Sequence, residues 1–179
     1  MDFLWVMLKS ISTMQNMDLT GIYLRDLDAE ATATRKCLER IPESLYDFKP
    51  HPKSMNLGYL ALLVAEIPAW ITFMIDKGEI DFANYQHFEL STQDKLSAHF
   101  EENLVRAKES LKGATEERLA GSFSLKQNGE LLYTAKVIEE LGATVRHWVH
   151  HRGQLTVYMR LNDIAVPSIY GPSADERTF

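Results

Sequence analysis

The sequence predicts an all-α fold, a four-helix bundle with a small β-hairpin between the third and fourth helices. Three observations carry that prediction. Four stretches show apolar residues recurring at steps of three and four. Prolines and turn-forming residues separate those stretches. One Asn-Gly dipeptide between apolar residues supplies a strong hairpin signal.

The first helix is expected over Gly21–Ile41, where Leu24, Leu27, Ala31, Thr34, Leu38 and Ile41 form one apolar seam. Pro42 ends it, and Pro50 and Pro52 hold the residue before each in an extended conformation. The second helix starts at Ser54, read as an N-cap, and continues to about Ile75. Pro68 inside it removes one backbone hydrogen bond and should kink it. The third spans Thr92–Lys112, with Ser91 and Asp94 resembling a capping box and Gly113 suited to the position after the helix. Its buried stripe is Leu96, Phe100, Leu104, Ala107 and Leu111. Asn128-Gly129, flanked by Phe123, Leu125, Leu131 and Tyr133, reads as a hairpin over the end of the bundle. The fourth helix runs over Lys136–Leu161, and residues 162–179 form an irregular tail that packs back.

No linker or repeat divides the 179 residues, so one domain is expected. Residues 1–16 read as an N-terminal extension, because Met17 opens a phrase that looks like a start. That extension has no basic opening and no small-residue cleavage site, so it does not read as a signal peptide. Leu57–Ile75 carries Glu66 as its only charge and is long enough for a membrane span. Glu66 and Pro68 in its middle favour a buried helix instead. The net charge is −6, from 25 acidic and 19 basic residues, and no Lys/Arg block stands out. Nucleic acid and anionic membranes are therefore not expected partners. Cys37 is the only cysteine, which rules out an internal disulfide and fits a cytoplasmic protein. It reads as a small packed side chain.

The sharpest local feature is the pair His147 and His151. A spacing of four places both imidazoles on one helix face, where both can reach one ion. The alternative is a pair of partly buried histidines bonded to neighbouring helices. Gln154 and Tyr158 extend the same stripe, whereas His150 points elsewhere. Glu66 is an acid inside an apolar helix and needs a partner or a raised pKa. It is read as a general base, a metal ligand or an acceptor from a histidine, or else as an interhelical bond to a Trp, Tyr or Arg. His51 reads as a loop anchor, and His87 and His99 as surface or helix-face residues. There is no Gly-rich phosphate loop, Ser nucleophile elbow or paired-cysteine site.

The stretch LERIPESLYDFKPHPKSMNLGYLALLVAEIPAW resembles the first half of the DinB/YfiT-like superfamily. HWVHHRGQLTVYMRLNDIAVPSIYGPSADE resembles its last helix and tail, so the likeness spans Leu24 to Glu176. The resemblance implies an up-down-down-up bundle, a homodimer, and a divalent ion, zinc or nickel, held by three histidines. Two of these come from the fourth helix and match His147 and His151. The third belongs to the second helix, where this sequence has Leu63. Members of the superfamily include transferases and isomerases that use low-molecular-weight thiols.

Two functional expectations follow. The first is a DinB-like protein with an incomplete metal site, non-catalytic or weakly metal-binding, in which Leu63 packs beside Tyr59 and Trp70. The second is a metal-dependent thiol transferase or isomerase that uses His147, His151 and a substitute ligand such as Glu66.

Overall fold

The computed structural model describes residues 18–177, so the expected extension over residues 1–16 lies outside the described residues. The protein is mostly helical, with a small mixed sheet.

Helix α1 is Leu19–Leu38. The Asp18 carboxylate caps it by accepting from the Gly21 N–H at 2.8 Å, which satisfies one of the free donors of the first turn. Leu27, Ala31, Thr34, Leu38 and Ile41 are buried as the seam requires. Pro42 then leads into a 3-10 turn, Glu43–Leu45.

Helix α2 is Leu57–Thr72, and its N-cap is Asn56 rather than Ser54. The Asn56 side chain accepts from the Tyr59 N–H at 2.8 Å. The Leu57 and Gly58 N–H groups bond back to the Phe48 and Tyr46 carbonyls, so the preceding loop closes the helix start. Gly58 permits this approach: a Cβ there would lie 2.8 Å from the Tyr46 Cβ. Pro68 lies inside the helix and is buried. The chain then widens into a π turn, Phe73–Lys77, that ends on Gly78 with φ +79°. The segment Leu57–Lys77 is apolar and long enough to cross a membrane, but 67% of its apolar window is buried inside the protein.

Strand β1 is Glu79–Asp81. Helix α3 is Gln93–Gly113, capped by Thr92 accepting from the Lys95 N–H, not by Ser91. Gly113 is its last residue and Ala114 continues extended, so the helix does not close through a left-handed glycine. The expected stripe Leu96, Phe100, Leu104, Ala107 and Leu111 is buried. A short helix α4, Glu116–Ala120, precedes strands β2 (Ser122–Gln127) and β3 (Glu130–Lys136).

Strands β2 and β3 form the expected antiparallel hairpin. Asn128 and Gly129 both have positive φ, 52° and 81°, the geometry that a two-residue turn of this kind demands. The sequence reading did not include β1, which pairs parallel to β2. The Asp81 carboxylate on β1 accepts from the Asn128 and Gly129 N–H groups at 3.0 and 2.8 Å and so holds the hairpin tip.

Helix α5 is Val137–Leu161. Its contacts with α1 run in the same order along both chains: Tyr23 bonds to the Ile138 carbonyl, and Arg152 to Glu30 and Thr34. Its contacts with α2 run in opposite order, from Met55 against Tyr158 to Trp70 against His147. Helices α1 and α3 also run opposite, through Arg35–Glu101 and Lys108–Asp28. Helices α2 and α3 run together, through Ala65–Asn103 and Asp76–Ser110. One hydrophobic core fills the space between them, with Phe100 and Trp148 in contact at its centre.

Candidate functional site

The stripe on α5 begins with His147 and His151, one turn apart. Their Nε2 atoms are 2.8 Å from each other. His151 Nδ1 lies 2.7 Å from Gln154 Oε1, an acceptor, so Nδ1 carries the His151 proton. His151 Nε2 is then the acceptor, and His147 Nε2–H donates to it. Burial pushes both imidazoles below the ordinary histidine value; the neighbouring histidines push the same way, and Gln154 partly offsets this for His151. Both rings are therefore neutral near pH 7, as a bond between two imidazole nitrogens requires.

Helix α2 supplies the opposite wall. The Trp70 ring stands edge-on to His147 at 5.6 Å. The Tyr158 hydroxyl donates to the Met55 carbonyl at 3.2 Å, so Tyr158 anchors the start of α2 instead of joining the histidines. Leu63 lies on α2 between these two contacts, partly buried against the core, seven residues before Trp70.

Glu66 belongs to a different cluster. It is 3% exposed. Its carboxylate accepts from His87 Nδ1–H at 2.6 Å and from the Phe88 N–H at 2.7 Å, with the Tyr85 hydroxyl at 3.5 Å. These three residues lie in the irregular segment 82–92 between β1 and α3. His99 Nε2 is 3.6 Å from the other side of the carboxylate. The Asn103 amide nitrogen, which donates to the Ala65 carbonyl, also faces this His99 nitrogen at 3.1 Å. His99 thus lies between Asn103 and the Glu66 carboxylate. Burial would raise the Glu66 carboxyl, but His99, the Phe88 N–H and His87 outweigh burial and hold it below its ordinary value. Burial, then the Glu66 charge, pushes the Tyr85 phenol up.

The expected site residues therefore divide into two groups. His147, His151 and Gln154 lie together on α5, with Trp70 of α2 against His147, and Leu63 is partly buried on α2. Glu66 and the exposed Tyr59, whose ring meets His87 at 5.7 Å, lie with segment 82–92. Glu66 is bonded to that segment, not to His147 or His151. Sequence reasoning missed its partners, because His87 and His99 carry no periodic signal. The usable clue was the cost of an unpaired acid in an apolar helix, which required donors from somewhere.

The sequence profile of the DinB family matches residues 14–178. The chain belongs to the DinB family. A DinB-like protein from Bacillus subtilis, YjoA, is similar in structure, with a TM-score of 0.65 and 20% identity over 87% of this chain and 99% of that one. A DinB-like protein from Bacillus cereus ATCC 10987 gives 0.64 and 19%, over 83% and 95%. A DinB family structure from Exiguobacterium sibiricum 255-15 gives 0.66 and 15%, over 85% and 97%. The uncharacterised Bacillus subtilis (strain 168) protein YrdA is 53% identical over 32 residues, which span 18% of this chain and 19% of YrdA.

The donor set does not fit the three-histidine ion that DinB family resemblance implies. Among the described residues no three His, Cys, Asp or Glu side chains are grouped so as to hold a metal. The two imidazoles present satisfy one another.

Proposed function

We propose that this DinB family protein is a non-catalytic pocket protein that binds divalent metal weakly at most and offers the groove between Trp70, Leu63 and His147 to a small apolar ligand. The observation carrying this reading is the 2.8 Å bond between His147 and His151. Two imidazoles leave an ion two protein bonds short of a closed tetrahedron. To bind it they would also have to give up the proton they share. We further propose that the helices form the up-down-down-up bundle, a reading supported by the order of their contacts. A homodimer and a bacterial, cytoplasmic setting complete the proposal; the buried single Cys37 fits a reducing compartment.

The test is thermal unfolding with and without zinc or nickel, on the native protein and on Leu63→His. Leu63→His adds an imidazole at the third position that the family resemblance implies. A ligand at about 100 times its Kd stabilises by about 2.7 kcal/mol, or roughly 5–10 °C for a chain of this size. The native midpoint is expected to stay within error on adding metal, and that of Leu63→His to rise. Stoichiometric tight metal in the native protein would overturn the proposal and favour a metal-dependent enzyme with a substitute ligand. A folded Leu63→His protein with no gain would show that Leu63 does not face the two histidines.

A further inference from the structure

Between α2 and α3, bordered by Asn84, Tyr85 and Gln86 of segment 82–92, lies a cleft of about 450 Å³. The π turn and β1 also line it, and its walls include Phe73, Tyr85, Asn103 and Arg106. None of its lining residues belongs to the His147 group.

The floor of this cleft is built of acceptors. Asn103 is 4% exposed, and its amide nitrogen is fully used, facing the Ala65 carbonyl and His99 Nε2. Its Oδ1 has no protein partner among the described residues, yet it is not among the side-chain atoms sealed from solvent without a bond. As Asn103 lines the cleft, that oxygen opens into it. Glu66 lies beside it and adds an anionic carboxylate to the floor. An unbonded buried acceptor is costly, so this oxygen needs a donor from whatever fills the cleft.

The rest of the lining carries both signs, and its two acids are already engaged: Glu79 pairs with Lys126, and Asp81 accepts from the hairpin tip. Lys77 and Arg106 both line the opening. Arg106 pairs with the exposed Glu102. Lys77 has no carboxylate partner among the described residues, and its ammonium stands 5.0 Å over the Phe73 ring. Phe73 and Tyr85, with ring centres 5.8 Å apart, provide an apolar side wall between floor and rim.

We propose that this cleft binds a small zwitterion of the amino-acid or dipeptide class. The ligand ammonium faces Asn103 Oδ1 and the Glu66 carboxylate, because an ammonium brings three donors and no acceptor. The ligand carboxylate faces Lys77 and Arg106, and an apolar side chain lies along Phe73 and Tyr85. Neither a simple anion nor a simple amine uses both ends of the cleft.

The experiment is a titration of the whole chain, followed by amide chemical shifts, with four probes. L-leucine and glycyl-L-leucine carry both charges, 4-methylpentanoate lacks the amine, and leucine amide lacks the carboxylate. At least one zwitterion is expected to saturate, with shifts centred on Tyr85, Asn103 and Lys77. The two single-charge probes are expected to bind about tenfold more weakly, the equivalent of about 1.4 kcal/mol. The double variant Lys77→Gln/Arg106→Gln changes only exposed side chains and so stays folded. It is expected to lose about tenfold in affinity for the zwitterion. No saturation by either zwitterion at about 10 mM, tenfold above a 1 mM Kd, overturns the proposal. So does equal binding of leucine amide, or zwitterion binding that the double variant leaves unchanged. Each of these readouts is independent of the metal response of Leu63→His, so failure here leaves the reading of the His147 groove to its own test.

Discussion

Replacing Glu66 by Gln keeps the shape of the side chain but turns one acceptor oxygen into a donor. The carboxylate accepts from His87 Nδ1–H at 2.6 Å and the Phe88 N–H at 2.7 Å, one on each oxygen. The Phe88 N–H can only donate, so the Gln oxygen must face it, and the amide left facing His87 exchanges a bond to a charged acceptor for a neutral one at best. A hydrogen bond to a charged group is worth about 1.5–3 kcal/mol, and the Glu66 end of this one is buried. At about 2–4 °C per kcal/mol for a chain of this size, the midpoint should fall by roughly 3–12 °C at pH 7. The pH dependence follows from the direction of the Glu66 shift. Its folded pKa lies below the ordinary value of 4.5, so its stabilisation is present above that value and is lost as pH falls through the folded pKa. The gap between the native protein and Glu66→Gln should therefore be full at neutral pH and close in acid. Far-ultraviolet circular dichroism melts of both proteins across that range measure it. Equal midpoints at pH 7 would show that Glu66 is solvated. A gap unchanged down to about pH 3 would show that its charge is not what stabilises the fold.

Further outcomes are expected elsewhere. Arg152→Ala should cost about 3–5 kcal/mol in urea unfolding, because it strands Glu30 beside a buried gap, whereas a loss below 1 kcal/mol would mean the site hydrates freely. Cys37 is fully buried, with its thiol pushed up to about 11 by burial, so it should resist thiol reagents in the folded protein and react on unfolding. Light scattering at micromolar concentration should give twice the monomer mass of 20.5 kDa, and a monomer across that range would rule out the homodimer.

The helices were legible because each has one apolar face with the right period, and Leu96 to Leu111 lie buried as that pattern requires. Helix starts were less so. Ser54, Asn56, Ser91 and Thr92 are all competent caps, and at α2 the choice falls to Asn56 because the next two N–H groups, of Leu57 and Gly58, are held by the Phe48 and Tyr46 carbonyls of the preceding loop. Strand β1 was invisible because three residues, Glu79-Ile80-Asp81, are too short to show a period. Their strand character comes from pairing with β2, a partner more than forty residues distant. The α5 stripe was readable as spacing, but the departure of Tyr158 to Met55 was not, since it depends on where the loop before α2 passes. The Glu66 cluster was half legible. An acid in an apolar helix announces that donors exist, but segment 82–92 has no repeat from which its approach could be read.

The two phrases on which the resemblance of the C-terminal part rests, HHRG and YGPSADE, are in direct contact in the fold. In the phrase HHRG, His151 turns to His147, while Arg152, 1% exposed, turns to α1. There it bonds the Glu30 carbonyl at 2.9 Å and the Thr34 hydroxyl, and it donates to the Tyr170 hydroxyl at 2.9 Å. Tyr170 belongs to the tail phrase YGPSADE, and its hydroxyl also meets the Glu30 carboxylate at 3.0 Å. The rest of the phrase repeats the pattern: Glu176 binds Arg40 and Lys36 of the first helix region, and Asp175 binds Arg160 of α5. The tail is thus a clasp across α1 and α5. On another side of α5, His147 meets Trp70 of α2. The contacts that hold α5 against α1 and the tail are therefore separate from those made by its two bonded histidines, so a change at His147 or His151 leaves the clasp intact.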